Sequence, residues 1–141
     1  MSKLVAVVVG ALALYGCAKS APATVSSSSI ATGECPSVAG HPAATAIAEI
    51  LRNPHRYNLR PVRLVGLYFS AVENSAVYPV VATGHEPSPG TGIWVSPLPA
   101  SFAGKRVELI GYFTTAVKGH GDQWPGCLCI ASARLAGEDA P

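Results

Sequence analysis

The sequence predicts one small, mainly β domain: a five-stranded, partly open barrel with a short helix before its first strand. The prediction rests on two observations. Residues 61–72 recur as residues 106–117, and both stretches are rich in β-branched and aromatic side chains, which favour strands. Each stretch also holds one interior glycine, Gly66 or Gly111, which in a strand is typical of a bulge or a sharp bend. Two long, bent strands in so short a chain favour a barrel over a flat sheet.

The composition limits both the size of the fold and the choice of partners. The 141 residues leave room for one domain with one core, and only 13% of them are charged. The formal net charge of +2 falls to +1 if Lys3 is removed with a leader. Nucleic acid is therefore a poor candidate partner, because binding its backbone requires the neutralisation of many phosphates.

Residues 1–16 have the pattern of a secretory signal peptide. Lys3 precedes an apolar run, residues 4–14, which is too short to span a bilayer as a helix. The run ends in Leu14-Tyr15-Gly16-Cys17, which resembles the lipobox of bacterial lipoproteins. The resemblance implies cleavage before Cys17 and a lipidated cysteine that anchors the protein stably in a membrane. Because Ala18 follows, it also implies the outer membrane, facing the periplasm. A soluble, secreted protein cut elsewhere is the alternative.

The residues after the lipobox divide into a tether, a domain and a tail. Residues 17–34 are mostly Ser, Ala, Thr and Pro, with too few large apolar side chains to offset the entropy of ordering them. We therefore expect a flexible tether there, the barrel domain at residues 35–136, and a frayed tail at residues 137–141.

The first element expected in the domain is a helix of about ten residues. Pro42 fits its first turn, and Asn53-Pro54 ends it. One apolar stripe would face the sheet, formed by Ala44, Ile47, Ala48 and Leu51.

Five strands follow, at residues 61–72, 76–82, 93–95, 106–117 and 127–135. The first turn between strands is expected at Glu73-Asn74-Ser75, and Pro79 indicates a strand end or an edge because it cannot donate to a ladder. Residues 83–92 and 118–126 have the composition of loops. Five strands, two of them bent, describe an OB-like barrel better than a sandwich, which has seven strands or more.

Two stretches add a family resemblance to this prediction. Asn53-Pro54-His55-Arg56-Tyr57, followed by residues 61–66, resembles the opening of small bacterial OB-fold-like domains. Residues 106–111 and the loop at 119–126 are similar to the later part of such domains in exported lipoproteins of unassigned function. The resemblance implies a fold and no activity. Leu59 stands where those domains usually have glycine, so the positive φ of that turn is expected at Asn58 or in a rebuilt turn.

Three cysteines remain besides Cys17. Cys127 and Cys129 are two apart on one predicted strand and share a face, and Cys35 stands before the helix. In an oxidising compartment we expect a disulfide from Cys35 to one of the other two. The alternative is a zinc or copper site built from His120, Cys127 and Cys129, with Cys35 as a fourth ligand.

No catalytic arrangement emerges from the remaining polar residues, so we assign no catalytic residue, metal or cofactor. Glycines on both sides of His120 leave it poorly oriented for acid/base work with Asp122. Aromatic side chains that face outward would form the binding face that OB barrels use. The candidate ligand-facing residues are His120, Asp122, Trp124, Trp94 and Tyr112. The sequence predicts a non-enzymatic, lipid-anchored envelope module for a protein, peptide or glycan; the metal- or thiol-dependent site remains the alternative.

Overall fold

The computed structural model describes residues 35–80 and 87–137, which form a β-barrel with short helices. The helices are α1 (Ile47–Arg52) and α2 (Pro54–Tyr57). The strands are β1 (Arg60–Ala71), β2 (Asn74–Tyr78), β3 (Ile93–Val95), β4 (Arg106–Thr114) and β5 (Cys127–Leu135). Single 3₁₀ turns lie at Pro89–Thr91, Ala100–Phe102 and His120–Asp122. The prediction of a mainly β domain with these five strands is confirmed. The predicted leader, Cys17 and the tether lie outside the described residues.

The barrel is closed, with strand order β1-β2-β3-β5-β4 and β4 returning to β1. β3 and β5 are parallel, with Trp94 opposite Cys127, and the other neighbours are antiparallel. The prediction of a partly open barrel is therefore wrong. Residues 60–67 of β1 pair with β4 without interruption, and this pairing covers edges that an open barrel would expose.

The repeated stretches of the sequence are β1 and β4, and they pair with each other. Leu64 lies opposite Leu109, which is its own equivalent in the repeat. A local two-fold axis therefore passes between these two leucines. The glycine of each strand lies opposite a valine of the other, in the pairs Gly66 with Val107 and Gly111 with Val62.

In both strands, the side chains at equivalent positions of the repeat point into the barrel. Their inward side chains are fully or almost fully buried in one cluster with residues of α1, β2, β3 and β5. Because side chains alternate along a strand, the residues between them lie on the outer face. The inward side chains are Val62, Leu64 and Tyr68 from β1, and Val107, Leu109 and Phe113 from β4.

Of the two interior glycines, Gly111 marks an irregular point of the sheet. Gly66 directly precedes Leu67, where β1 is paired with both β4 and β2, and the register with β4 is regular there. At Gly111 the register with β5 shifts, because Ile110 faces Ser132 while Gly111 faces Ile130. The interpretation of Gly111 as a bulge position is confirmed.

The helix is shorter than expected and begins later. α1 spans six residues, and Pro42 lies outside it. Ala44 forms a parallel bridge with Arg63 of β1, and the Thr45 N–H donates to the Arg63 carbonyl at 2.9 Å. Because this pairing keeps the backbone extended, the helix starts only after it. Of the predicted apolar stripe, Ile47 alone is fully buried.

Three turns of the described residues place a non-glycine residue at positive φ, namely Leu59, Glu73 and Asp122. Leu59 has a φ of 58°, whereas Asn58, where the positive φ was expected, has −57°. The Leu59 N–H donates to the Phe113 carbonyl at 2.7 Å, and its side chain packs with Tyr112, so tertiary contacts offset the strain. The β1–β2 turn is tighter than expected, with Glu73 at a φ of 63° and Asn74 already in β2.

β2 and β4 both end earlier than predicted. β2 ends at Tyr78, which agrees with the interpretation of Pro79 as a strand end. β4 stops at Thr114, whose side-chain oxygen accepts the N–H of Ala116 at 3.1 Å and turns the chain away.

Candidate functional site

The β1–β2 turn and the β4–β5 loop meet beside a cleft of about 360 Å³. His120 of the loop has its Nε2 3.6 Å from Oε1 of Glu73 in the turn. The cleft is lined by residues 72–74 of the turn, by Gln123 and Trp124 of the loop, and by residues 87–89 before β3. We call it the loop cleft. It is a concave surface bordered by three connections of the barrel.

Trp94 and Trp124 form the floor beneath the β4–β5 loop. Their ring centroids are 4.8 Å apart with planes tilted by 59°, and Trp124 is only 2% exposed. Its Nε1 has no hydrogen-bond partner within the described part of the chain. Gly119, at a φ of 72°, fits against both rings, because an added Cβ would lie 2.6 Å from Trp94 and 2.8 Å from Trp124. The structure therefore places Trp124 at the loop cleft, largely packed against the protein itself, and Trp94 against Trp124.

His120 and Asp122 do not pair with each other as an acid/base couple. The carboxylate beside His120 is that of Glu73, and both side chains are more than half exposed. Asp122 is exposed as well, with a φ of 55°. An exposed pair of this kind contributes little to stability. It gives the rim of the loop cleft one carboxylate and one imidazole that are accessible to a ligand.

Tyr112 lies away from the loop cleft, on the outer face of β4. It is opposite Cys129 of β5 and packs with Val38 and Leu59. Cys129 is bonded to Cys35, with their Cα atoms 5.5 Å apart, which is typical of a disulfide. The predicted bond from Cys35 to the fifth strand is confirmed, with Cys129 as its partner.

Cys127 is the free cysteine of the described residues, and it is buried. Burial raises the pKa of its thiol to about 12, so the thiolate that a nucleophile or a metal ligand requires is scarce at neutral pH. In residues 35–80 and 87–137, no group of three His, Cys, Asp or Glu side chains is placed to hold a metal ion. The structure does not assemble His120, Cys127 and Cys129 into a metal site.

A buried carboxylate that the sequence analysis missed lies on the outer face of β4. Glu108 is only 5% exposed and accepts hydrogen bonds from Arg134 Nε at 2.9 Å and Arg63 Nη1 at 3.3 Å. Burial alone would raise the pKa of Glu108, but the hydrogen bonds and charges of the two arginines outweigh it and lower the pKa. This triad joins β1, β4 and β5, so its role is structural.

The sequence analysis also missed three residues of the loop cleft. Val72 is 91% exposed, the largest exposed fraction among the large apolar side chains that the structure describes. Glu73 and Gln123 lie on the turn and the loop, and both reach the cleft. These residues come together because two connections that are distant in the chain meet in the fold. No local sequence pattern predicts that meeting.

Comparison with known proteins assigns no function to the chain. No protein-family model matches the chain, and no curated protein matches it. Among the helices of the described residues, none has the length and apolar character needed to cross a membrane. The function is therefore argued from the geometry of the site.

Proposed function

We propose that this chain is a non-enzymatic binding module with an OB-like barrel, anchored by a lipid on Cys17 to the outer membrane of a bacterium and facing the periplasm. Its loop cleft receives a protein, peptide or glycan ligand. The observation that carries the proposal is the meeting of the β1–β2 turn with the β4–β5 loop at this cleft. OB folds bind their ligands with the corresponding two loops and the adjoining strand face.

The strand arrangement supports the OB-like assignment. An OB fold is a five-stranded Greek-key barrel, and here five strands close in the order β1-β2-β3-β5-β4 with β3 parallel to β5. The aromatic cluster of Tyr78, Trp94 and Trp124 fills part of the space that ligands of OB barrels would approach. A ligand is thereby directed to the rim made by Val72, Glu73 and Gln123.

The chemistry of the rim supports binding rather than catalysis. Catalytic acid/base groups are held in a fixed orientation, usually by a second partner. His120 and Glu73 are exposed and meet at 3.6 Å, which is longer than a good hydrogen bond. Together with the nearby Gln123 amide, they offer donors and acceptors to a polar ligand.

The anchor is supported by the sequence Leu14-Tyr15-Gly16-Cys17 behind an apolar run. Intact mass and detergent partitioning of the wild type and the Cys17→Ala variant test it. The wild type is expected to carry the mass of acyl chains and to enter the detergent phase, while the variant stays in the aqueous phase. Equal partitioning of both proteins into the aqueous phase would refute the anchor.

Ligand binding is tested by intrinsic fluorescence, because Trp124 lines the loop cleft and Trp94, the other tryptophan of the chain, packs against it. Peptidoglycan oligosaccharides and short peptides are titrated into the protein, and the mass of each ligand is then measured by mass spectrometry. We expect a saturable change in fluorescence, no change in ligand mass, and affinity weakened about 10-fold by Val72→Glu.

The matched control is Leu135→Glu, which alters a half-exposed leucine of β5 that does not line the loop cleft. It should leave the titration unchanged. Equal weakening by Val72→Glu and Leu135→Glu would place the ligand elsewhere, and conversion of the ligand would show an enzyme.

A further inference from the structure

A second cleft, of about 440 Å³, lies along β1. It is lined by residues 44–48, by Val65 of β1, by Pro79 and Val80 after β2, and by Arg106 of β4. Among the described residues that line it, Arg106 alone is charged, and most of the others are apolar. We call it the edge cleft. It shares no lining residue with the loop cleft.

Within this cleft, the described part of the chain leaves one position of the β1 backbone without a neighbouring strand. The Arg63 carbonyl accepts the Thr45 N–H, and from Leu67 onward β1 pairs with β2. Backbone groups of a strand alternate between its two edges, so the N–H and C=O of Val65 point to the same edge as those of Arg63 and Leu67. Among the described residues, no backbone bond reaches Val65 at that edge. Within residues 35–80 and 87–137, one donor and one acceptor thus lack a backbone partner between two covered positions.

We propose that the edge cleft binds an extended peptide segment. The peptide forms a β-bridge with Val65, packs an apolar side chain against the side chains of Val65 and Val80, and carries a carboxylate that faces Arg106. Strand addition to an uncovered edge is an established mode of peptide recognition, in which backbone bonds supply affinity and side-chain pockets supply specificity. The proposal is independent of the function assigned to the loop cleft.

The chemistry of the cleft selects this occupant over two others. A peptide backbone presents a C=O and an N–H at the spacing of a strand, so it satisfies both groups of Val65. A hydrocarbon chain would leave them unpaired, which costs free energy once water is excluded. A sugar would cover the apolar side chains of Val65 and Val80 with hydroxyl groups.

The length of the gap limits the size of the segment. From Arg63 to Leu67 the strand rises about 13 Å, at about 3.3 Å per residue. Since Thr45 and Tyr78 cover the two ends, the gap accommodates about three residues of extended peptide.

Amide hydrogen exchange, measured by NMR on the full chain in lipid nanodiscs, tests the uncovered edge without any ligand. The Val65 amide should exchange at least about 10-fold faster than those of Leu64 and Gly66, which face the β4 edge. Equal protection of the three amides would overturn the proposal, because Val65 would then already have a partner.

The same sample is then titrated with acetyl-Thr-Val-Thr-Val that carries a free carboxylate. We expect the peptide to slow exchange of the Val65 amide about 10-fold and to shift the amide resonances of Thr45 and Val80. Conversion of the peptide carboxylate to an amide, or methylation of its central amide nitrogen, should each weaken binding. Equal binding of the carboxylate and amide forms would overturn the role of Arg106.

Matched variants separate this site from the loop cleft. Val80→Glu and Leu135→Glu alter similarly exposed aliphatic residues, 59% and 51%, but only Val80 lines the edge cleft. Val80→Glu should weaken peptide binding about 10-fold, while Leu135→Glu and Val72→Glu should leave it unchanged. Equal effects of Val80→Glu and Leu135→Glu would overturn the proposal without bearing on ligand binding at the loop cleft. Loss of binding with Val72→Glu would also overturn it, because the peptide would then lie in the loop cleft.

Discussion

Replacing Gly111 with alanine places a methyl group against the backbone of the neighbouring strand. The added Cβ would lie 2.9 Å from the carbonyl carbon of Cys129 and 3.1 Å from Cα of Ile130, and it would overlap the Cys129 carbonyl oxygen. Ordinary contacts of a Cβ begin at 3.4 Å. All three obstructing atoms belong to the backbone of β5, so no change of side-chain rotamer relieves the overlap.

The expected loss of stability depends on which part of the protein must move to accommodate the added methyl group. Overpacking that rotamer changes absorb costs about 1 to 3 kcal/mol. Here β5 itself must shift at the bulge, beside a cysteine held by a disulfide, so we expect about 3 kcal/mol or more for Gly111→Ala. Gly66→Ala should cost less, about 2 kcal/mol, because two of its three nearest atoms are side-chain atoms of Ile47 and Val77.

Urea denaturation of the wild type and three alanine variants measures this ranking. Gly90→Ala is the matched control, because nothing lies within 4 Å of its added Cβ and its φ is not positive. It should change the free energy of unfolding by less than about 0.5 kcal/mol with an unchanged m-value. A Gly111→Ala variant that unfolds at the same midpoint as Gly90→Ala would refute the close approach of β4 and β5 at this point.

Three further predictions concern the cysteines and the buried carboxylate. Cys35→Ser and Cys129→Ser should each destabilise by about 4 kcal/mol, and non-reducing peptide mapping should link these two residues; a link to Cys127 would contradict the assignment. In the Cys17→Ala variant, the Cys127 thiol should react with a thiol reagent at pH 8 only after unfolding, and a fast reaction of the folded protein would contradict its raised pKa. Glu108→Gln should cost about 1 to 3 kcal/mol at pH 7. Because folding lowers the pKa of Glu108, its contribution is complete above its ordinary pKa of 4.5 and disappears as the pH falls through the lowered value. The difference in stability between wild type and variant should therefore shrink as the pH is lowered below 4.5, and a constant difference would contradict the ion pairs.

Much of the barrel was predictable because its strands carry a local signal. The β-branched and aromatic composition of β1 and β4 indicated their positions, and the interior glycine of the second repeat, Gly111, marked the point where the sheet is irregular. The repeat also predicts the direction of the Tyr112 side chain. Tyr68 faces inward and its equivalent is Phe113, so the neighbouring Tyr112 must face outward.

Closure of the barrel and assembly of the loop cleft were not predictable from the sequence. Closure depends on which strand edges meet, and hydrogen bonds between edges involve backbone groups that every residue carries. The late start of α1 has the same cause, because the backbone of β1 holds residues 44–45 extended. The pairing of His120 with Glu73 joins positions far apart in the chain. Asp122 is nearer to His120 in sequence, but the carboxylate that lies beside His120 is that of Glu73.

The two-fold relation between β1 and β4 has a consequence for how separate chains recognise one another. Because Leu64 faces its own equivalent and Gly66 faces the equivalent of Val62, β1 is complementary to a copy of itself in the same antiparallel register. Two unfolded chains can thus form, through β1 alone, a strand pair that reproduces the native arrangement of inward side chains. This self-complementarity makes association compete with folding while β4 is still unpaired, and it makes the yield of monomer depend on protein concentration during refolding.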